Sequence, residues 1–152
     1  MARIYLACGS VFGSAILTTD EIQQALTQAG HEVQRPENAN VDDLTDETLD
    51  YLFVCTSSTG NGDVPDNLAP FHVALLTQFP RITHLRFAVV ALGDSSYDTF
   101  CGGGLAIDHA LQELGATQLS EPLKIDAMET TEPELLGAPW VMSLLEGAQA
   151  TK

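Results

Sequence analysis

Two stretches constrain the fold more than any others: YLFVCT at residues 51–56 and RFAVVAL at residues 86–92. Each is an almost unbroken apolar run bounded by polar or turn-forming residues. A strand with one wet face alternates apolar and polar side chains, whereas an unalternating one must be covered on both faces. That is the place of a central strand in a parallel sheet with helices packed on each side. RIYLAC (3–8), HEVQ (31–34) and LSEPLKI (119–125) read as further strands. Helical patterns separate them. The first, over residues 14–29, is stopped by Gly30, and the second opens at Asp63-Val64-Pro65-Asp66-Asn67 and runs to about Gln78. The third spans 103–114 before Gly115, and the last spans 132–147. Residues 35–50 read as a polar, acidic connection. Regular alternation of this kind predicts an α/β three-layer fold on a five-stranded parallel sheet with right-handed crossovers. The 152 residues suit one domain, 1–152, with no linker or repeat inside it.

Charge narrows the partners. Six Lys and Arg face 21 Asp and Glu, a net charge of −15. Eight acidic residues and no basic one lie between Arg35 and Arg81: Glu37, Asp42, Asp43, Asp46, Glu47, Asp50, Asp63 and Asp66. Such a field repels nucleic acid and anionic membrane and attracts basic protein surfaces. No apolar run has the length of a membrane span, and the N-terminus lacks a signal-peptide pattern, so a cytoplasmic location is expected. Cys8, Cys55 and Cys101 are scattered, without a Cys-x-x-Cys pair, which argues against a disulfide framework or a zinc site. His31, His72, His84 and His109 are equally dispersed, and no acid, base or nucleophile constellation stands out.

In an open parallel sheet, ligands bind beyond the carboxyl ends of the strands, near the point where strand order reverses. Three loops at such ends are rich in small and polar residues: GSVFGSA (9–15), SSTGNGDVPDN (57–67) and GDSSYDTFCGGG (93–104). The first leads from a strand into a helix. Amides at a helix N-terminus bind an anion through hydrogen bonds and the positive end of the dipole. The loop lacks the lysine of a P-loop and the Gly-x-Gly-x-x-Gly of a dinucleotide fingerprint, so it suits one monophosphate held by neutral donors. In the second loop, Gly60 and Gly62 around Asn61 let the backbone approach a flat ligand. In the third, Tyr97 can stack on a planar ring, or fold back on the core as Phe100 can.

Together and in this order, the three loops resemble the FMN-binding loops of the flavodoxin family. The last two are similar to those of MioC-type flavodoxin-like proteins and of the FMN domains of diflavin reductases. The resemblance runs from the first strand to Trp140. It implies the flavodoxin strand order 2-1-3-4-5 and non-covalent FMN. By position, Ser10, Val11, Phe12, Gly13, Ser14 and Ala15 would cradle the phosphate. Ser57, Ser58, Thr59, Gly60 and Asn61, with Leu92, Gly93, Asp94, Ser95, Ser96, Tyr97, Asp98, Thr99, Phe100 and Cys101, would line the isoalloxazine, and Tyr97 would stack on one face. The resemblance further implies a one-electron carrier between a flavoprotein reductase of the flavodoxin or ferredoxin reductase type, docking through a basic surface, and an acceptor enzyme. Phe12 and Ala15 stand where relatives usually have hydroxyls. Two missing neutral hydrogen bonds imply FMN binding weaker by about tenfold or more. Thr59 stands where relatives often place an aromatic or His.

Three other readings compete. A response-regulator receiver needs an acidic cluster after the first strand and a phosphoacceptor Asp after the third, where this chain has Cys-Gly-Ser and Thr-Ser-Ser. An FMN-dependent quinone-type reductase would use the flavin as an enzyme. A module that has lost FMN would serve only as an interaction protein.

Overall fold

The computed structural model describes residues 1–10, 13–58, 62–96, 101–130 and 132–150. In chain order the elements are β1 (Arg3–Gly9), α1 (Gly13–Gln28), β2 (Glu32–Gln34), α2 (Val41–Leu44), β3 (Tyr51–Thr56), α3 (Ala69–Gln78), β4 (Arg86–Gly93), α4 (Gly102–Glu113), β5 (Thr117–Gln118), β6 (Leu123–Asp126) and α5 (Glu134–Ala150). The strands form one sheet in the order β2-β1-β3-β4-β5, and β6 also pairs with β4. Every pairing is parallel. Leu6 sits beside Phe53, and Phe53 beside Ala88, so β1, β3 and β4 form the centre of the sheet in tight register.

Both faces of that centre are dry. Tyr5, Ala7, Leu52, Val54, Phe87, Val89 and Ala91 pack with Phe71 and Leu75 of α3 and Ile107 and Leu111 of α4. Ile4, Leu6, Phe53, Cys55, Ala88 and Val90 pack with Ile22 and Leu26 of α1 and Val141 and Leu145 of α5. All six residues of β3 are buried, which is why its sequence shows no alternation. Helix α1 buries Ala15, Thr18, Thr19, Ile22 and Leu26, a stripe of period three to four. Its two buried threonines satisfy their hydroxyls on the helix itself: Thr18 Oγ1 donates to the Ser14 carbonyl at 2.9 Å and Thr19 Oγ1 to the Ala15 carbonyl at 2.6 Å.

The predicted order 2-1-3-4-5 is observed, with three local differences. Helix α3 starts at Ala69, not at Asp63. The Pro65 carbonyl accepts from the Leu68 and Ala69 amides, each at 2.9 Å, forming a turn that delays the helix, and Pro70 then occupies its first turn. The strand predicted at 119–125 begins only at Leu123, as β6; a separate short strand, β5, precedes it, and Pro122, which has no N–H for the ladder, lies in the gap. The acidic connection contains α2, whose first turn is capped by Asn40 accepting from the Asp42 amide at 2.9 Å. Among the described residues no helix is long and apolar enough to cross a membrane.

Tyr51 is buried and stacked on Phe53, with ring centroids 6.0 Å apart, and its hydroxyl has no hydrogen-bond partner among the described residues. Removing an unsatisfied buried hydroxyl forfeits no bond and relieves a desolvation cost. Tyr51→Phe is therefore expected to leave stability in urea melts unchanged or to raise it by up to about 1 kcal/mol.

Candidate cofactor site

Because the strands run parallel, the segments after β1, β3, β4 and β6 all emerge at one edge of the sheet. Side chains tie them together there. Ser57 continues the ladder by donating its N–H to the Gly9 carbonyl at 2.9 Å. Asn67, in the turn before α3, accepts from the Ser10 amide at 3.0 Å and donates to the Cys8 carbonyl at 3.1 Å. Ser58 accepts from the Gly103 amide at 2.9 Å, linking the second loop to α4. Asp126, at the end of β6, accepts from the Ser95 amide at 3.0 Å and the Met128 amide at 2.9 Å, linking the third loop to the segment after β6. Asp94 closes the start of the third loop by accepting from the Ser96 amide at 2.8 Å.

Glycines let the pieces touch. A Cβ at Gly102 would lie 2.7 Å from the Gly62 carbonyl oxygen, and one at Gly103 would lie 3.0 Å from the Asp63 carbonyl oxygen. One at Gly104 would lie 2.5 Å from the Ala91 Cβ. The first turn of α4 thus rests directly on the second loop and on β4. Cys101 just before it is buried in a left-handed conformation, φ 58°, with its thiol 3.3 Å from the Ala91 carbonyl.

The predicted site residues divide accordingly. Ser10, Gly13, Ser14, Ala15, Ser57, Ser58, Gly93, Asp94, Ser95 and Ser96 all lie at this edge. Gly13 and Ser14 are exposed in the first turn of α1, and among the described residues a Cβ at Gly13 would meet nothing within 4 Å. The side chains of Ala15, Leu92 and Cys101 are buried in the core, leaving only their backbone for a ligand. Val11, Phe12, Thr59, Gly60, Asn61, Tyr97, Asp98, Thr99 and Phe100 lie outside the described residues. Sequence reasoning did not find Asn67 or Asp126 as loop-to-loop ties. Asn67 was read as part of a helix start, and nothing local marks either residue, since each acts on a segment distant in sequence.

The donors in these ties are neutral amides, and the cation nearest to them in the sheet is the exposed Lys124 of β6, beside Ala91. Arg3 and Arg86 begin β1 and β4 and so stand at the opposite edge, and Arg35, after β2, is held by Asp20 at 2.5 Å and by Gln23 at 2.9 Å. Burial pushes the Cys55 thiol up to about 12 and the Cys101 thiol up to about 11, and it raises Cys8 as well, so all three are protonated at neutral pH. A protonated thiol is a poor nucleophile. Among the described residues no group of three or more His, Cys, Asp or Glu could hold a metal ion.

A parallel sheet in this order, with hydrogen-bonding loops gathered at its carboxyl edge, defines the flavodoxin-like class of α/β proteins. A sequence profile of the flavodoxin family matches residues 8–140, and the chain belongs to that family. It is 42% identical over 141 residues to flavodoxin YqcA of Pectobacterium carotovorum subsp. carotovorum, covering 93% of each chain. It is 34% identical over 143 residues to the protein MioC of Escherichia coli O157:H7, covering 94% of this chain and 96% of that one. Among solved structures, the C101S mutant of flavodoxin from Pseudomonas aeruginosa superposes with a TM-score of 0.85 at 38% identity over 97% of both chains. The family cofactor is FMN, and the chain is an FMN-type electron-transfer protein. The site fits that cofactor: the amides of Gly13, Ser14 and Ala15 have no acceptor within α1, no described residue fills the space at Gly13, and a single phosphate needs no more than such neutral donors.

Two expectations follow. Gly102→Ala forces the second loop off α4, so it is expected to lower stability by about 1–3 kcal/mol and to weaken FMN binding, as read by thermal melts and by quenching of flavin fluorescence. The second concerns Asp126, whose carboxyl is held below the ordinary value by hydrogen bonds from the Ser95 side chain and from the Met128 and Ser95 amides. A depressed carboxylate contributes stability above its unfolded value, and that contribution is lost as pH falls through the folded one. The Ser95 and Met128 amide resonances should therefore stay in place as pH passes the ordinary value of 3.8 and shift only below it.

Proposed function

We propose that this protein is a one-electron carrier that takes electrons from a flavoprotein reductase of the flavodoxin or ferredoxin reductase type and delivers them to an acceptor enzyme. The observation that carries this reading is the neutral, open cradle at the first turn of α1, joined to the loops that would hold a flat ring. Bound FMN supplies the electron chemistry by accepting and returning electrons singly. The chain's own residues bind and orient it: the amides of residues 13–15 at the phosphate, and the segments at 57–58 and 93–96 along the ring.

The surface around this edge supports a protein partner. Asp63, Asp66, Glu129 and Glu132 are exposed on the loops that surround the site. Ile16 and Leu17 in the first turns of α1, Met128 after β6, and Leu135 and Leu136 at the start of α5 are exposed apolar side chains at the same edge. Apolar contacts bordered by acids suit a partner whose docking surface is basic. Encounter with such a surface is steered at long range and weakens as salt screens it.

The test is to reconstitute the purified protein with FMN and follow its reduction by NADPH through a flavodoxin reductase. The rate is expected to fall by roughly tenfold or more from low to high salt. Steady turnover with NAD(P)H and no partner reductase would favour the enzyme reading instead, and failure to bind FMN would remove both.

A further inference from the structure

We propose that Asn67 is a positioning residue that sets the phosphate end of the FMN cradle and thereby the preference of this chain for FMN over flavins without a phosphate. The inference deepens the carrier reading above and rests on it.

Asn67 is exposed in the turn fixed by the Pro65 carbonyl, immediately before Leu68, which is fully buried. Its side chain leaves its own loop and reaches the end of β1. One carboxamide brackets Gly9 from both sides, accepting from Ser10 N–H and donating to the Cys8 carbonyl. The Gly9 carbonyl is taken in turn by the Ser57 amide. A Cβ at Gly9 would lie 2.4 Å from Thr56 Oγ1 and 2.8 Å from Leu68 Cδ2, so the backbone here is pressed between β3 and the neighbour of Asn67. Residues 8–10 are therefore held on three sides.

That matters because Ser10 is where the chain leaves the sheet for α1. The amides of Gly13, Ser14 and Ala15 begin three residues further on, so a change in its path is carried toward them. The Ser10 amide is committed to Asn67, so the phosphate donors come from beyond it, and the sequence-based expectation that Ser10 joins the cradle is narrowed to its side chain. The chemistry selects an amide. The grip needs a donor and an acceptor on one short planar group, and Asn supplies both without charge. Aspartate would keep the acceptor, lose the donor, and place a carboxylate against the Cys8 carbonyl and beside a phosphate in a chain already at −15. Since Asn67 is solvent-exposed, its two bonds fix a local path more than they hold the fold together.

The experiment measures the affinity of the apoprotein for FMN and for riboflavin, which lacks the phosphate, by fluorescence quenching, together with the apoprotein's melting temperature. Asn67→Ala is expected to weaken FMN binding by about tenfold while changing riboflavin binding by less than about twofold, with the melting temperature little changed. Asn67→Asp is nearly isosteric, keeps the test open if the alanine variant folds poorly, and is expected to weaken FMN further than alanine does. Ser58→Ala cuts the tie between the second loop and α4 and should lower both affinities in parallel. An unchanged ratio of FMN to riboflavin affinity in both Asn67 variants would overturn the assignment, whether the two affinities hold or fall together. Failure of the unaltered protein to bind FMN would instead overturn the carrier reading, and this inference with it.

Discussion

Burial of β1, β3 and β4 on both faces is the constraint from which the rest of the structure follows. A strand sealed above and below must be joined to its parallel neighbours by helices that return across the sheet. Every such crossover leaves a strand's carboxyl end on the same side of the molecule. Strand order reverses between β1 and β3, so the loops after those strands diverge and leave a crevice between them. The chemistry of the molecule is placed by that packing: loops far apart in sequence become neighbours because the apolar strands beneath them leave no alternative.

What makes the edge a site is close backbone approach secured by a few polar side chains. Gly9, Gly102, Gly103 and Gly104 each occupy a place where a Cβ would strike another segment. Asn67, Ser58 and Asp126 each cross from one loop to the next. None of these ties relies on opposite charges, in a chain whose net charge is −15. Neutral amides and hydroxyls can hold a phosphate there without a cation that would draw the acidic side chains inward.

The fold was largely legible in the sequence, because burial on two faces leaves a one-dimensional signature. YLFVCT and RFAVVAL could be nothing but central strands, and Gly30 and Gly115 marked helix ends, both with positive φ. The boundaries that moved were those decided by a single backbone feature, such as the missing N–H of Pro122 and the turn closed by the Pro65 carbonyl. The site was legible at the level of loops, through their small residues and their order. Its internal ties were not, since nothing near Asn67 or Asp126 in sequence tells which distant amide each will meet. The helix predicted over 103–114 is observed at Gly102–Glu113, and the glycines of its first turn are tightly packed against other segments.

The sulfur atoms suggest how such a molecule endures its own work. A reduced flavin in air passes electrons to dioxygen, and peroxide forms beside the protein. Peroxide attacks thiolates far faster than thiols, and exposed ones before sheltered ones. With Cys55 and Cys101 fully enclosed and all three thiols holding their protons, the cysteines of this chain present no easy target for oxidation, unlike the exposed Met128. Protection of these thiols is thus built from the same dense interior that shapes the sheet.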